Sequence, residues 1–114
     1  MAKLALKAPE TFPGTVSIPV AGGKPVKVGF VFKHRTRAGL DTYLEELRAP
    51  RPEGDGAAPI EREVEAVMKV AVGWEMDEPF DADNVRTFLD NYHKAAWAIG
   101  NAYINELMQA NEGN

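Results

Sequence analysis

The sequence of 114 residues predicts an α+β fold, in which an N-terminal antiparallel β-hairpin packs on a small bundle of about four α-helices. Two patterns and the length predict it. Apolar residues alternate with period two early in the chain, which is typical of strands with one buried face. Further along they recur every three or four residues, as on amphipathic helices. A chain of this length can bury one modest core, so we expect a single domain over residues 1–114.

The hairpin is predicted over residues 14–34. Its strands are indicated by residues 15–20 and 26–32, which each place alternate apolar side chains on one face. The Ala-Gly-Gly-Lys-Pro sequence between them supplies glycines that tolerate a positive φ, as a hairpin turn requires. Pro19 and Pro25 have no N–H to donate, so we expect them at an edge or beside the turn.

The first helix is predicted over residues 36–48, because Thr36 can cap it and apolar residues follow at helical spacing. We expect its apolar stripe to pack on the hairpin. Residues 49–58 are rich in proline and glycine, which disfavour both helix and strand, and they predict a mobile loop.

Two helices are predicted next, over residues 59–72 and 81–92. Pro59 suits the first turn of a helix, and Gly73 suits the position just past a helix end. Asp81 can cap the following helix. Trp74 and Phe80 flank the turn between the helices, and we interpret them as anchors that fix the turn to the core.

The last helix, predicted over residues 93–110, is apolar on two sides. At 100° per residue, one face carries Ala96, Ile99, Tyr103 and Leu107. A second face, about 120° away, carries Trp97, Ile104 and Met108. Either this second face binds a partner or another copy of the chain, or the helix is central and buried on both sides.

Charge is divided unevenly along the chain. Residues 1–37 hold seven Lys or Arg against one acid, a charge of +6, and the remainder holds six against sixteen, a charge of −10. The division favours contact between copies or docking of the two halves. Lys33, Arg35 and Arg37 form the densest basic run, which suits a solvated face or a dock for an acidic partner. Nucleic acid is a weaker alternative, because the acidic remainder would repel it.

Residue types that carry catalysis are scarce. The chain has no cysteine, one serine and two histidines, and Ser17 is far in sequence from either histidine, so we expect neither an enzyme nor a catalytic residue. An acidic run between residues 75 and 83 lacks the glycine and distal glutamate of a calcium loop, so no metal or cofactor is expected. No apolar run is long enough to span a membrane, and the absence of cysteine favours the cytoplasm.

The C-terminal half, over about residues 64–108, resembles the tail assembly chaperones of long-tailed bacteriophages and their prophages. The residues that carry the resemblance are Gly73-Trp74, Pro79-Phe80, Asn84, Leu89, Tyr92, Ala96, Ile99 and Ala102-Tyr103.

The resemblance implies a protein without enzymatic activity in the cytoplasm of the bacterial host. Such a protein would coat the tape measure protein and keep it soluble until the tail tube protein replaces it. Trp97, Ile104 and Met108 would then be contacts for the client. The alternative class is a structural component, a tail terminator or head-tail connector, which remains in the virion as a ring.

Overall fold

The computed structural model describes residues 4–49 and 59–108. The α+β fold with its N-terminal hairpin and four helices is confirmed. Its elements, in chain order, are β1 (Thr11–Ile18), β2 (Val26–Lys33), α1 (Arg37–Arg48), α2 (Pro59–Val70), β3 (Ala71–Trp74), α3 (Ala82–Asn91) and α4 (Ala95–Met108). The predicted mobile loop lies outside the described residues, apart from Ala49.

The hairpin pairs β1 with β2 from Thr11 opposite Lys33 to Ile18 opposite Val26. Within the turn, Gly22 has a φ of +73°, a left-handed conformation that favours glycine, and the N–H of Gly23 donates to the carbonyl of Val20 at 3.1 Å. The turn prediction is therefore confirmed, and both prolines lie outside the strands. The side of the hairpin that faces the helices is fully buried at four apolar positions, which are Val16, Ile18, Phe30 and Phe32.

A third strand corrects the predicted end of the second helix. Helix α2 ends at Val70, and the chain enters β3 at the next residue instead of continuing to residue 72. Strand β3 pairs antiparallel with β2, with Phe30 opposite Trp74, so the sheet order is β1-β2-β3. Gly73 therefore lies in a strand and does not cap a helix. A bulge interrupts the pairing near Val31, and it leaves Val72 exposed.

The helix that packs most closely on the hairpin is α4, which lies against β1, whereas we expected α1 there. Helix α2 packs against both α3 and α4 and forms the middle of the helical layer. Helix α1 contributes Leu40 and Tyr43 to the core, and the ring of Tyr43 meets the ring of Tyr103 on α4 edge-on at 5.8 Å. An amphipathic stripe shows that a helix has a buried side, but it does not identify the surface that buries it.

A bidentate ion pair joins α2 to α3. Arg86 donates from Nε to Glu61 Oε2 at 2.6 Å and from Nη2 to Glu61 Oε1 at 2.7 Å. These hydrogen bonds hold the pKa of Glu61 below its ordinary value. Because the pKa is lowered in the folded chain, the pair stabilises the fold above the unfolded pKa of about 4.3. That stabilisation is lost as the pH falls through the folded pKa.

We therefore expect Glu61→Gln to lower the thermal unfolding midpoint at pH 7, by an amount that shrinks as the pH falls below about 4. Differential scanning fluorimetry across this pH range measures the difference between the two proteins. Glu45→Gln, at an exposed position on α1, is the matched control and should give a small difference at each pH. A difference for Glu61→Gln that stays constant down to pH 3 would contradict the linkage.

Candidate interaction surface

Nine of the ten aromatic side chains belong to one continuous network of ring contacts. Phe30 is its centre, because it stacks with Phe32 at 5.9 Å and meets Trp74 edge-on at 6.2 Å. Phe32 contacts Phe12 on β1 and Tyr103 on α4, and Tyr103 in turn contacts Tyr43 on α1. Trp74 contacts Phe80 of the acidic turn and Phe88 of α3, and Phe88 in turn contacts Tyr92. The interpretation of Trp74 and Phe80 as anchors of the turn fits this arrangement.

Trp97 is the aromatic residue outside this network. It lies near the start of α4, and 67% of its surface is exposed. Met108, three turns further along the same side of α4, is 58% exposed, and Ile104 between them is half-buried. These three residues, called the α4 stripe below, form an apolar row about 16 Å long on the surface of the domain.

The structure distinguishes the two alternatives for the last helix. Ile99 and Tyr103 are buried against the domain, as the first predicted face requires. Trp97 and Met108 remain exposed, so the alternative in which α4 is buried on both sides is wrong for the described part of the chain.

Gly100 lies between Trp97 and Ile104, in the interior of α4. A Cβ atom added at this position would meet no atom within 4 Å. Glycine in a helix interior is about 1 kcal/mol less favourable than alanine. Packing inside the described fold gives no reason for a glycine here, and the backbone at this position beside the α4 stripe carries no side chain. The sequence signal for this position is an isolated glycine within a helical pattern.

The residues of the basic run at the end of β2 differ in their contacts with the fold. Arg35 donates from Nη1 to the hydroxyl of Tyr103 at 2.9 Å, and that hydroxyl donates to the carbonyl of Lys33 at 2.8 Å. The Arg35 guanidinium also lies over the ring of Tyr43, 4.6 Å from its centroid. Burial raises the pKa of Tyr43, and the nearby Arg35 partly opposes this. Arg35 is therefore held within the fold, whereas Arg37 is exposed at the start of α1.

The α4 stripe and the basic run lie on different sides of α4. Tyr103, which binds Arg35, is about 120° around the helix from Trp97. The sequence-predicted contact residues thus form two separate surfaces, and the structure does not bring Arg35 to the α4 stripe.

Two acidic residues at the start of α3, Asp81 and Asp83, have structural partners. Asp81 Oδ1 accepts from the N–H of Asn84 at 2.8 Å, which caps α3 as predicted. Asp83 Oδ1 accepts from Arg86 Nη1 at 3.0 Å. Across residues 4–49 and 59–108, no cluster of three or more His, Asp or Glu side chains is arranged to hold a metal ion. Nor is any helix of those residues long and apolar enough to cross a membrane.

A family model described as phage tail assembly chaperone matches residues 1–114, which is the whole sequence. No curated protein and no solved structure matches the chain. The match extends the resemblance seen in the C-terminal half across the hairpin and α1. The chain therefore belongs to the phage tail assembly chaperone family.

Proposed function

We propose that the chain binds the tape measure protein of its phage along the α4 stripe and keeps that protein soluble while the tail is assembled. The tail tube protein then displaces the chaperone from its client. Membership of the family supports a role in tail assembly, inside the bacterial host and without enzymatic chemistry. The observation that carries the assignment of the binding surface is the exposure of Trp97, the aromatic side chain that the core network leaves out.

The shape of the α4 stripe suits a helical client. An exposed tryptophan, a half-buried isoleucine and an exposed methionine follow one side of α4 over about three turns. An amphipathic helix can lie along such a row through side chains spaced at three, four and seven residues. Tryptophan is enriched at the centres of binding energy in interfaces, and methionine adapts to varied partner surfaces. Repeated apolar segments of a long client could thus be bound by successive copies of the chaperone.

Gly100 gives the proposal a geometric detail. Without a side chain at this position, the backbone of a partner helix can approach α4 closely. The exposed Arg37 and the half-buried Lys33 supply positive charge on a separate surface, which we assign to an acidic partner segment. Arg35 is assigned to the fold instead, because its guanidinium is bound to Tyr103.

The direct experiment is co-expression of the chain with the tape measure protein of the same phage genome. We expect the tape measure protein to remain soluble and to co-purify with the chain. Purified virions should lack the chain. Recovery of the chain from virions as a ring, together with aggregation of the tape measure protein despite co-expression, would instead support the structural component.

We expect Gly100→Ala to have opposite effects on stability and on binding. Alanine should raise the free energy of unfolding by about 0.5–1 kcal/mol, because it favours the helix and meets no neighbour. The same methyl group should hold a client helix away from α4 and weaken binding by about tenfold. Urea unfolding and co-purification with the tape measure protein measure the two effects.

Thr42→Ala, at an exposed position in the interior of α1, is the matched control for Gly100→Ala. It should bind the client about as well as the unsubstituted chain does. If Gly100→Ala stabilised the chain and left binding unchanged, close approach at Gly100 would be wrong, and the α4 stripe itself would still stand.

A further inference from the structure

A short arm, residues 4–10, precedes β1, and its two leucines are not part of the core. Leu4 and Leu6 are both fully exposed, and Lys7 follows them. A single exposed leucine is ordinary, but two at alternate positions of one segment give that segment an apolar side. Burial of both side chains against a surface would be strongly favourable, because each leucine gains roughly 1.5–3 kcal/mol when fully buried.

An apolar cleft of about 360 Å³ opens at the opposite end of the hairpin. Its apolar walls come from both strands, the acidic turn and α3, and they include Ile18, Val20, Val26, Val28, Met76 and Phe88. Val26 is 53% exposed, so the cleft presents apolar surface to solvent. The volume falls within the range of about 300–1,000 Å³ that is usual for binding pockets.

Leu6 cannot reach the far end of the cleft in its own chain, and both leucines of the arm are fully exposed there. The arm joins β1 at Thr11, and the cleft extends from the level of Thr15, which pairs with Gly29, to the other end of the strand at Ile18. Seven residues of β1 separate the two ends by about 23 Å. The five residues from Leu6 to Thr11 span at most about 18 Å even when fully extended. A second copy of the chain is free of this restriction.

Charge favours the same pairing. Glu75 lines the cleft beside Lys27, and Asp77 and Glu78 follow on the exposed turn next to it. This rim is acidic overall, whereas Lys7 adds positive charge to the arm. Opposite charges on the two surfaces would orient the arm as it docks.

We infer that the arm of one copy, with Leu4 and Leu6, docks in the hairpin-end cleft of the next copy. The two surfaces that meet are different, so the contact is head-to-tail. An open assembly therefore has an unused arm at one end and an unused cleft at the other, and it either adds further copies or closes into a ring. This inference concerns contacts between chaperone copies and is independent of the client surface on α4.

Three forms of the chain test the contact by sedimentation velocity over a range of concentrations. The arm variant carries Leu4→Ser and Leu6→Ser, and the cleft variant carries Val26→Glu. The unsubstituted chain should associate as its concentration rises. Each variant alone should associate at least about 100-fold more weakly, because two leucines lose their burial or a carboxylate enters the apolar cleft.

Mixing the two variants gives the sharper result. The arm variant still has an intact cleft, and the cleft variant still has an intact arm, so together they can form one contact. We expect a 1:1 heterodimer that does not grow further. Leu47→Ser removes an exposed leucine from α1, away from both surfaces, and should associate like the unsubstituted chain.

Three outcomes would overturn the inference. The first is an unsubstituted chain that stays monomeric at millimolar concentration, and the second is an arm variant that associates normally. The third is a mixture of the two variants that stays monomeric although each is folded by circular dichroism. If Trp97→Asp abolished association and the arm variant did not, the contact between copies would be on α4. Because client solubility is measured separately, failure here leaves the proposed function standing.

Discussion

Replacing Gly14 by valine should lower the free energy of unfolding by about 3 kcal/mol, a large fraction of the stability of a small domain. Gly14 lies on β1 beneath the fully buried ring of Phe32, and a Cβ at this position would be 2.7 Å from Cε2 of that ring. The ring cannot easily move away, because Phe12, Phe30 and Tyr103 surround it. Valine ordinarily suits a strand better than glycine, so the expected sign is opposite to the intrinsic preference. Urea unfolding measures the change.

Thr15→Val, at the exposed neighbouring position of β1, is the matched control and should change stability by less than about 0.5 kcal/mol. A second test combines Gly14→Val with Phe32→Leu, which shortens the side chain that valine would meet. We expect the double variant to be more stable than the sum of the two single effects predicts. Strict additivity, or a Gly14→Val chain as stable as the unsubstituted one, would show that the contact does not limit the core.

Replacing Trp97 by aspartate should reduce binding of the tape measure protein by about 30-fold or more, because loss of a tryptophan that anchors an interface typically costs about 2 kcal/mol or more. Trp97 is exposed and outside the ring network, so the fold should keep its stability. The expected result in cells is a soluble chaperone beside an aggregated tape measure protein. The measurement is the soluble fraction of the tape measure protein on co-expression, with pull-down affinity as the second readout.

Leu47→Asp is the matched control for Trp97→Asp, because Leu47 is also an exposed apolar residue of a helix. It should leave the client soluble. If the two variants behaved alike, a general change in surface charge would explain the result and the α4 stripe would be the wrong surface. Unchanged client solubility with Trp97→Asp would contradict the stripe directly.

The strands of the hairpin and the four helices could be predicted because their signals are local. Alternation along β1 and β2 and the helical stripes each need only about a dozen consecutive residues. Strand β3 gave no such signal, because four residues are too few to show a period and they follow a helical pattern without a break. Its partner, Phe30 on β2, is more than forty residues earlier in the chain. Pairing at that distance depends on the assembled core, which a local pattern does not contain.

Some parts of the candidate site could likewise be predicted from local patterns, and others could not. Stepping 100° per residue separated Trp97 from Ile99, and their burial agrees with that separation. The hydrogen bond that holds Arg35 within the fold could not be predicted from its basic neighbours, because its partner is the hydroxyl of Tyr103, 68 residues away on α4. Leu4 and Leu6 carry no periodic signal, because a segment with two leucines is too short to show a period. Their meaning depends on which surfaces the fold leaves exposed.

The separation of the two tryptophans into different surroundings gives the protein two optical reporters. Trp74 packs among Phe30, Phe80 and Phe88 and donates from Nε1 to the carbonyl of Glu78 at 2.7 Å, so its fluorescence should change when the fold opens. Trp97 is surrounded mainly by solvent, so its emission should lie further to the red and should shift to the blue when a partner covers it. A Trp97→Phe chain would report unfolding alone. The difference between its spectrum and that of the unsubstituted chain would isolate contact at α4, without any attached dye.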